Sequence, residues 1–138
     1  SSWTDSSVKT GKTYYYKIKT VVKTQNGEQT SGFSNVKSAK AVPAKTTLKA
    51  KASDAKNVKL TWSKIKGASG YEIYRSNSKD GKYSKVRTIS KGSTTSYKNG
   101  KLKKSTTYYY KIRAYRKVNG KKVYGSYSSV VSVKTKAK

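Results

Sequence analysis

Cysteine, methionine and histidine are absent from this chain of 138 residues, proline occurs once and acidic residues five times. Each gap closes a class of function. Without cysteine there is no disulfide, no thiolate nucleophile and no zinc–thiolate site. Without histidine the usual general base, the commonest transition-metal ligand and any Ser-His-Asp triad are gone. Five scattered carboxylates supply no acid/base pair. The ten glycines sit singly in turns and form no phosphate cradle. No catalytic residue, metal or cofactor is expected, and the chain is read as non-enzymatic. No run approaches the roughly 18 apolar residues of a membrane helix, so membrane insertion is not expected. A chain lacking methionine is expected to start at a processed or trimmed end.

What the chain has in excess is lysine. The net charge is +28, from 29 Lys, four Arg and five carboxylates. It is unevenly placed: residues 1–43 carry +5 and residues 44–138 carry +23. A field of that sign attracts nucleic acid, anionic wall polymers or acidic lipids. Lysine is a hydrated point charge, whereas arginine makes the bidentate contacts that read guanine or phosphate. The excess therefore fits either a solvated coat or loose polyanion attraction.

Alternation with a period of two dominates, and helical periodicity is missing. In KNVKLTWSK, Val58, Leu60 and Trp62 share one face. In GYEIYRS, Tyr71 and Ile73 point inward while Glu72 and Tyr74 fall on the outward parity. Strands are also expected in TTLKAKAS, through Leu48 and Ala50, and in KYSKVRTIS, where the parity of Tyr83, Val86 and Ile89 is ambiguous. STTSYK contributes Tyr97. TYYYKIRAY puts Tyr108, Tyr110, Ile112 and Ala114 inward, and Tyr109, Lys111, Arg113 and Tyr115 outward. YSSVVSVKT closes the series through Val131 and Val133, or Val130 if a bulge intervenes. Asp80-Gly81 and Asn119-Gly120 read as hairpin turns, and Asp54 as a turn residue. Seven short strands at this spacing predict an all-β sandwich.

The hexapeptide TYYYKI occurs at residues 13–18 and again at 107–112. At that offset Trp3 falls on Tyr97, Val8 on Leu102, Tyr14 on Tyr108, Tyr16 on Tyr110 and Ile18 on Ile112. Residues 1–43 thus read as the last three strands of one unit plus a linker, and 44–138 as a complete unit, with Pro43 at the junction.

LTWSKIKGASGYEIYRS, YKNGKLKKSTTYYYKIRAY and YGSYSSVVSV together resemble a fibronectin type III module, most of all the lysine-rich versions in secreted and surface proteins of Gram-positive bacteria. Trp62 matches the family's strand-B tryptophan, Tyr71 its strand-C tyrosine, and Leu102 with Tyr108 its leucine-then-tyrosine corner, with Val8 and Tyr14 in those places in the first copy. The resemblance implies an immunoglobulin-like β-sandwich of seven strands, and a core of Trp62, Tyr71, Ile73, Tyr97, Leu102, Tyr108, Tyr110 and Ile112. Trp3, Val8, Tyr14, Tyr16 and Ile18 are the counterparts in the incomplete unit. KLKKSTTY lacks the family's frequent Pro-Gly, and no RGD tripeptide is present. The implied role is a spacer and interaction segment of an extracellular or wall-associated protein, working beside other domains of its parent chain. Its lysines would favour teichoic acid or a similar anionic polymer or glycan. An accessory carbohydrate-binding module of a polysaccharide-degrading enzyme and a non-specific nucleic-acid binder are the alternatives.

Two features keep two readings each. The outward set Tyr74, Tyr109, Lys111, Arg113, Tyr115 and Tyr124 fits either a ligand surface, where rings stack and cations neutralise, or the ordinary preference of strands for tyrosine. The incomplete unit, with Trp3, Tyr14, Tyr16, Ile18 and Phe33 facing water, fits a truncated module, self-association through two copies completing each other, or disorder.

Overall fold

The computed structural model describes all 138 residues. It contains strands and no helix, and it divides into two units, Ser1–Ala41 and Val42–Lys138.

The second unit is a sandwich of two antiparallel sheets. One holds β5 (Leu48–Ala52), β6 (Val58–Trp62) and β9 (Ser96–Asn99), in the order β5-β6-β9. The other is built on β10 (Thr107–Val118), which pairs with β7 (Gly70–Ser76) on one edge. On its other edge β10 pairs with β11 (Lys121–Tyr124) and β12 (Val131–Lys134), while β8 (Ser84–Ile89) extends the sheet beyond β7. The alternating residues meet between the sheets as the period of two requires. Leu48, Val58, Leu60, Trp62, Tyr71, Ile73, Leu102, Tyr108, Tyr110, Ile112 and Ala114 form one buried cluster, and Tyr97, Val131 and Val133 pack against it half-buried. So lean a core depends on aromatic volume: the rings of Trp62 and Tyr71 lie 5.4 Å apart.

Three local features depart from the sequence reading. The seventh strand, read over residues 127–135, is β12 alone, and a further strand, β11, precedes it, because residues 125–130 leave the ladder. There Ser128 substitutes for a strand partner, its amide donating to the Ile112 carbonyl and its hydroxyl accepting from the Ile112 amide. The parity of β8 was ambiguous because the β7–β8 pairing shifts register between Ile73 and Tyr74; this bulge lets Val86 and Ile89, three residues apart, both pack on the core. Asp80-Gly81 lies within the seven-residue connection from β7 to β8 and is not a two-residue hairpin. Asn119-Gly120 is one, with φ of 49° and 76° closing β10 onto β11.

The first unit comprises β1 (Thr13–Tyr16), β2 (Val21–Thr24), β3 (Gly27–Thr30) and β4 (Lys37–Lys40), with β1 paired to β4 and β2 to β3. It repeats the second unit pair by pair at one constant offset. Tyr14 faces Ala39 as Tyr108 faces Val133, and Val21 faces Thr30 as Tyr115 faces Tyr124. Ser34 bonds Ile18 as Ser128 bonds Ile112. The Asn26-Gly27 pair is the one shift, since the two-residue connection here is Gln25-Asn26. These are two separate two-stranded sheets, and the first of the three strands expected here, around Trp3, does not form. Trp3 and Ile18 are 78% and 74% exposed, Phe33 is exposed, and Val8, Tyr14 and Tyr16 are half-buried.

The repeated tyrosine has a structural task. The Lys103 amide donates to the Tyr108 hydroxyl at 3.0 Å, and the Lys9 amide to that of Tyr14 at 2.9 Å. Each hydroxyl pins the bend that enters the strand. Tyr108→Phe leaves the Lys103 amide without its partner and is expected to lower the stability of the second unit by about 1 kcal/mol. Urea unfolding followed through Trp62 measures it; an unchanged midpoint would remove the corner from the account of stability.

Candidate functional site

The outward face of β7 and β10 is organised around an anion. Glu72 on β7 stands directly opposite Arg113 on β10, and its side chain is only 1% exposed. Arg113 donates to Glu72 Oε2 from Nη2 at 2.9 Å and Nε at 3.3 Å, and Tyr74 donates to the same oxygen at 2.8 Å. Oε1 accepts from Lys122 at 3.0 Å, Tyr124 at 3.3 Å and Lys85 at 3.4 Å. Parity placed Glu72 on the surface. The correction is that its neighbours are long and aromatic, so they close over a side chain that the backbone points outward.

Burial alone would push this carboxyl up. The hydrogen bonds from Arg113, Lys122 and Tyr74 outweigh it and hold Glu72 down at about 2. Tyr74 moves the other way, its phenol raised by burial and by donating to Glu72. Lys122 is raised chiefly by its hydrogen bond to Glu72.

Above the carboxylate, cations and rings alternate. The Arg113 guanidinium lies 3.7 Å from the Tyr124 ring centroid and 5.0 Å from that of Tyr127. The Lys111 ammonium sits 4.2 Å from Tyr127 and 4.5 Å from Tyr83. Tyr74 meets Tyr127 edge-on at 5.3 Å. The ladder runs Tyr83, Lys111, Tyr127, Arg113, Tyr124, so faces of these rings are covered by the protein's own cations.

Of the outward set, the structure brings together Tyr74, Lys111, Arg113 and Tyr124. Tyr109 is half-buried and stands outside the ladder. Tyr115 is not a surface residue: it is 1% exposed. Across from it stands Gly70, whose missing side chain leaves a slot for the ring, and the Tyr115 hydroxyl reaches the Ile89 carbonyl at 3.3 Å. A glycine inside a strand pattern was the available signal of such a close approach. Sequence reasoning also missed Glu72, Lys85, Lys122, Tyr83 and Tyr127. The signal for Glu72 was its rarity, as the one carboxylate within a strand of the second unit. Asp54 is a turn residue as read, accepting from the Lys56 amide and the Asn57 side chain.

The fold matches that of fibronectin type III domains. A fibronectin type III domain of the human KIAA0970 protein is 25% identical, covering 70% of this chain and 72% of its own, with a TM-score of 0.52. An Fn3-like protein of Clostridium thermocellum is 29% identical over 69% of this chain and 92% of its own, at 0.55. The FN1–FN3 domains of chicken CNTN1 cover 96% of this chain at 21% identity and a TM-score of 0.59, and the chain spans 46% of that length. No protein-family model and no curated protein matches the sequence.

Proposed function

We infer that the chain is a non-catalytic spacer and interaction segment of an extracellular, wall-associated bacterial protein. On this reading residues 1–43 are the C-terminal half of one module, and residues 44–138 are a complete module that holds an anionic wall polymer on its β7–β10 face. The observation that carries the reading is the placement of charge on that face. Its single carboxylate is sealed beneath Lys85, Arg113 and Lys122, and Lys111 is held between the Tyr83 and Tyr127 rings on the same face, so a polymer meets cations held at fixed spacing. The covered rings favour an anionic polymer over a neutral sugar, which would need free faces to stack on.

The test is retention on immobilised polyphosphate across a salt gradient. The chain is expected to bind at low salt and elute earlier when Lys85 and Lys111 are both changed to Gln. The equal charge change Lys49→Gln with Lys59→Gln, on the other sheet, should shift elution less. Equal shifts for the two pairs would leave only a diffuse coat. Retardation on a neutral glycan gel would favour the carbohydrate-binding reading instead.

A further inference from the structure

A second cationic feature sits at the end of the sandwich where β7 and β9 finish and β10 begins. Arg75, near the end of β7, turns inward on its strand. Its guanidinium lies 5.2 Å from the Tyr108 ring centroid and donates to Asn99 Oδ1 at 3.1 Å. Asn99 is buried, and the same oxygen accepts from the Tyr110 hydroxyl at 2.8 Å. Arg75 is thus oriented by a ring and an amide, with no carboxylate against it, and most of its five N–H donors are left for another acceptor. It opens onto a cleft of about 650 Å³ that is also lined by Lys101, Lys103, Ser105 and Thr106 and by no acidic residue.

The internal repeat gives a second version of the β9–β10 part of this end, without a counterpart of β7 or of Arg75. At the place of Asn99 the first unit has Asp5, which accepts from the Tyr16 hydroxyl at 3.0 Å as Asn99 does from Tyr110. At the place of Ser105 it has Gly11, with φ of 87°. Ser105 keeps that left-handed backbone, with φ of 52°, despite carrying a side chain, and Lys101 adds a second such position at 58°. Both are lysine or serine where glycine or asparagine would be easier. Lys103 keeps the lysine of the repeat, Lys9, and Thr106 replaces Lys12, so the gain of cationic character lies at two places, Asp5 to Asn99 and Ser7 to Lys101. The carboxylate becomes neutral, and two strained positions place an ammonium and a hydroxyl on the cleft wall.

We propose that this mouth of the second unit, built from Arg75, Lys101, Lys103 and Ser105, is a discrete binding site for a single phosphate group. Arginine held by its flanks presents a fork that suits two phosphate oxygens. The lysines supply charge, and the Ser105 hydroxyl supplies a further donor. The site is separate from the β7–β10 face and does not require that face to bind anything.

The experiment is a titration of the full chain with inorganic phosphate at constant ionic strength, read through backbone amide shifts. Saturable shifts confined to the amides around residues 99–107 are expected. Asn99→Asp restores the repeat's own carboxylate beside Arg75, keeps the acceptor for Tyr110, and is expected to weaken binding at least about tenfold. Lys101→Gln with Lys103→Gln, both at exposed positions, should do the same and guards against a folding defect in the first variant. Lys49→Gln with Lys59→Gln should leave the shifts in place. A parallel titration with glycerophosphodiester separates sources: tighter binding of the diester assigns the site to a polymer backbone, and tighter binding of phosphate to the free ion. Shifts scattered over the exposed lysines, or local shifts that survive Asn99→Asp, would overturn the proposal.

Discussion

Glu72→Gln is expected to destabilise the second unit by about 3 kcal/mol, although it removes one charge from a chain of net charge +28. On charge repulsion alone the change should be harmful but diffuse. The geometry makes it local: Gln keeps one neutral oxygen and turns an amide donor toward the other cation, so Arg113 and Lys122, with side chains 21% and 28% exposed, lose the charge that offsets their partial burial. Lys85, 47% exposed, contributes little. The pH dependence identifies the mechanism. The Glu72 carboxyl is depressed from an ordinary 4.5 to about 2 in the folded state. Its contribution is therefore fully present above pH about 4.5 and is lost as pH falls toward and through 2. Urea unfolding of both proteins at several pH values should show a gap of about 3 kcal/mol near neutrality that closes on acidification. A gap that stays constant down to pH 2 would mean the lost interaction is not ionic.

Gly70→Ala is expected to cost about 3 kcal/mol or more, at the upper end for a small-to-large change. An added Cβ would overlap the Ile89 carbonyl on β8 and stand 2.5 Å from the Tyr115 hydroxyl and 2.7 Å from the carbon bearing it. One obstacle is backbone and the other is a ring with no exposed route out, so neither yields cheaply. Thermal unfolding should fall by more than about 12 °C for a unit of this size, with faster amide exchange along the β7–β8 pairing. Gly81→Ala is the comparison, since its Cβ would meet chiefly the side chain of exposed Ser78, at 3.0 Å. It should cost under about 1 kcal/mol. A similar loss at both positions would indicate a general effect of replacing glycine rather than the Tyr115 slot.

The two sites differ in how far the sequence reveals them. Tyr108 and Tyr110 are inward by simple alternation, and the repeat at residues 13–18 marks them as structural. Tyr115 continues the same strand, and alternation sends it outward. Its burial depends on Gly70, 45 positions earlier, standing across from it. Glu72 is outward by the same rule and becomes the least exposed carboxylate because Tyr74, Arg113, Lys122 and Tyr124, from three strands, converge on it. Parity assigns a direction to each side chain but does not say what covers it.

Local chemistry therefore determined most of the strands, the turn at Asn119-Gly120, most of the buried cluster and the recurrence of one register in both units. Each of these follows from neighbours close in the chain or from a repeated pattern, while the Leu102–Tyr108 corner was implied by the resemblance to fibronectin type III modules. Only the tertiary structure decided that the cationic face rests on a sealed carboxylate, that Tyr115 is interior, and that Arg75 stands without a carboxylate at the mouth of the sandwich. Those outcomes depend on residues far apart in sequence meeting across strands, where burial and opposite charge act over a few ångströms.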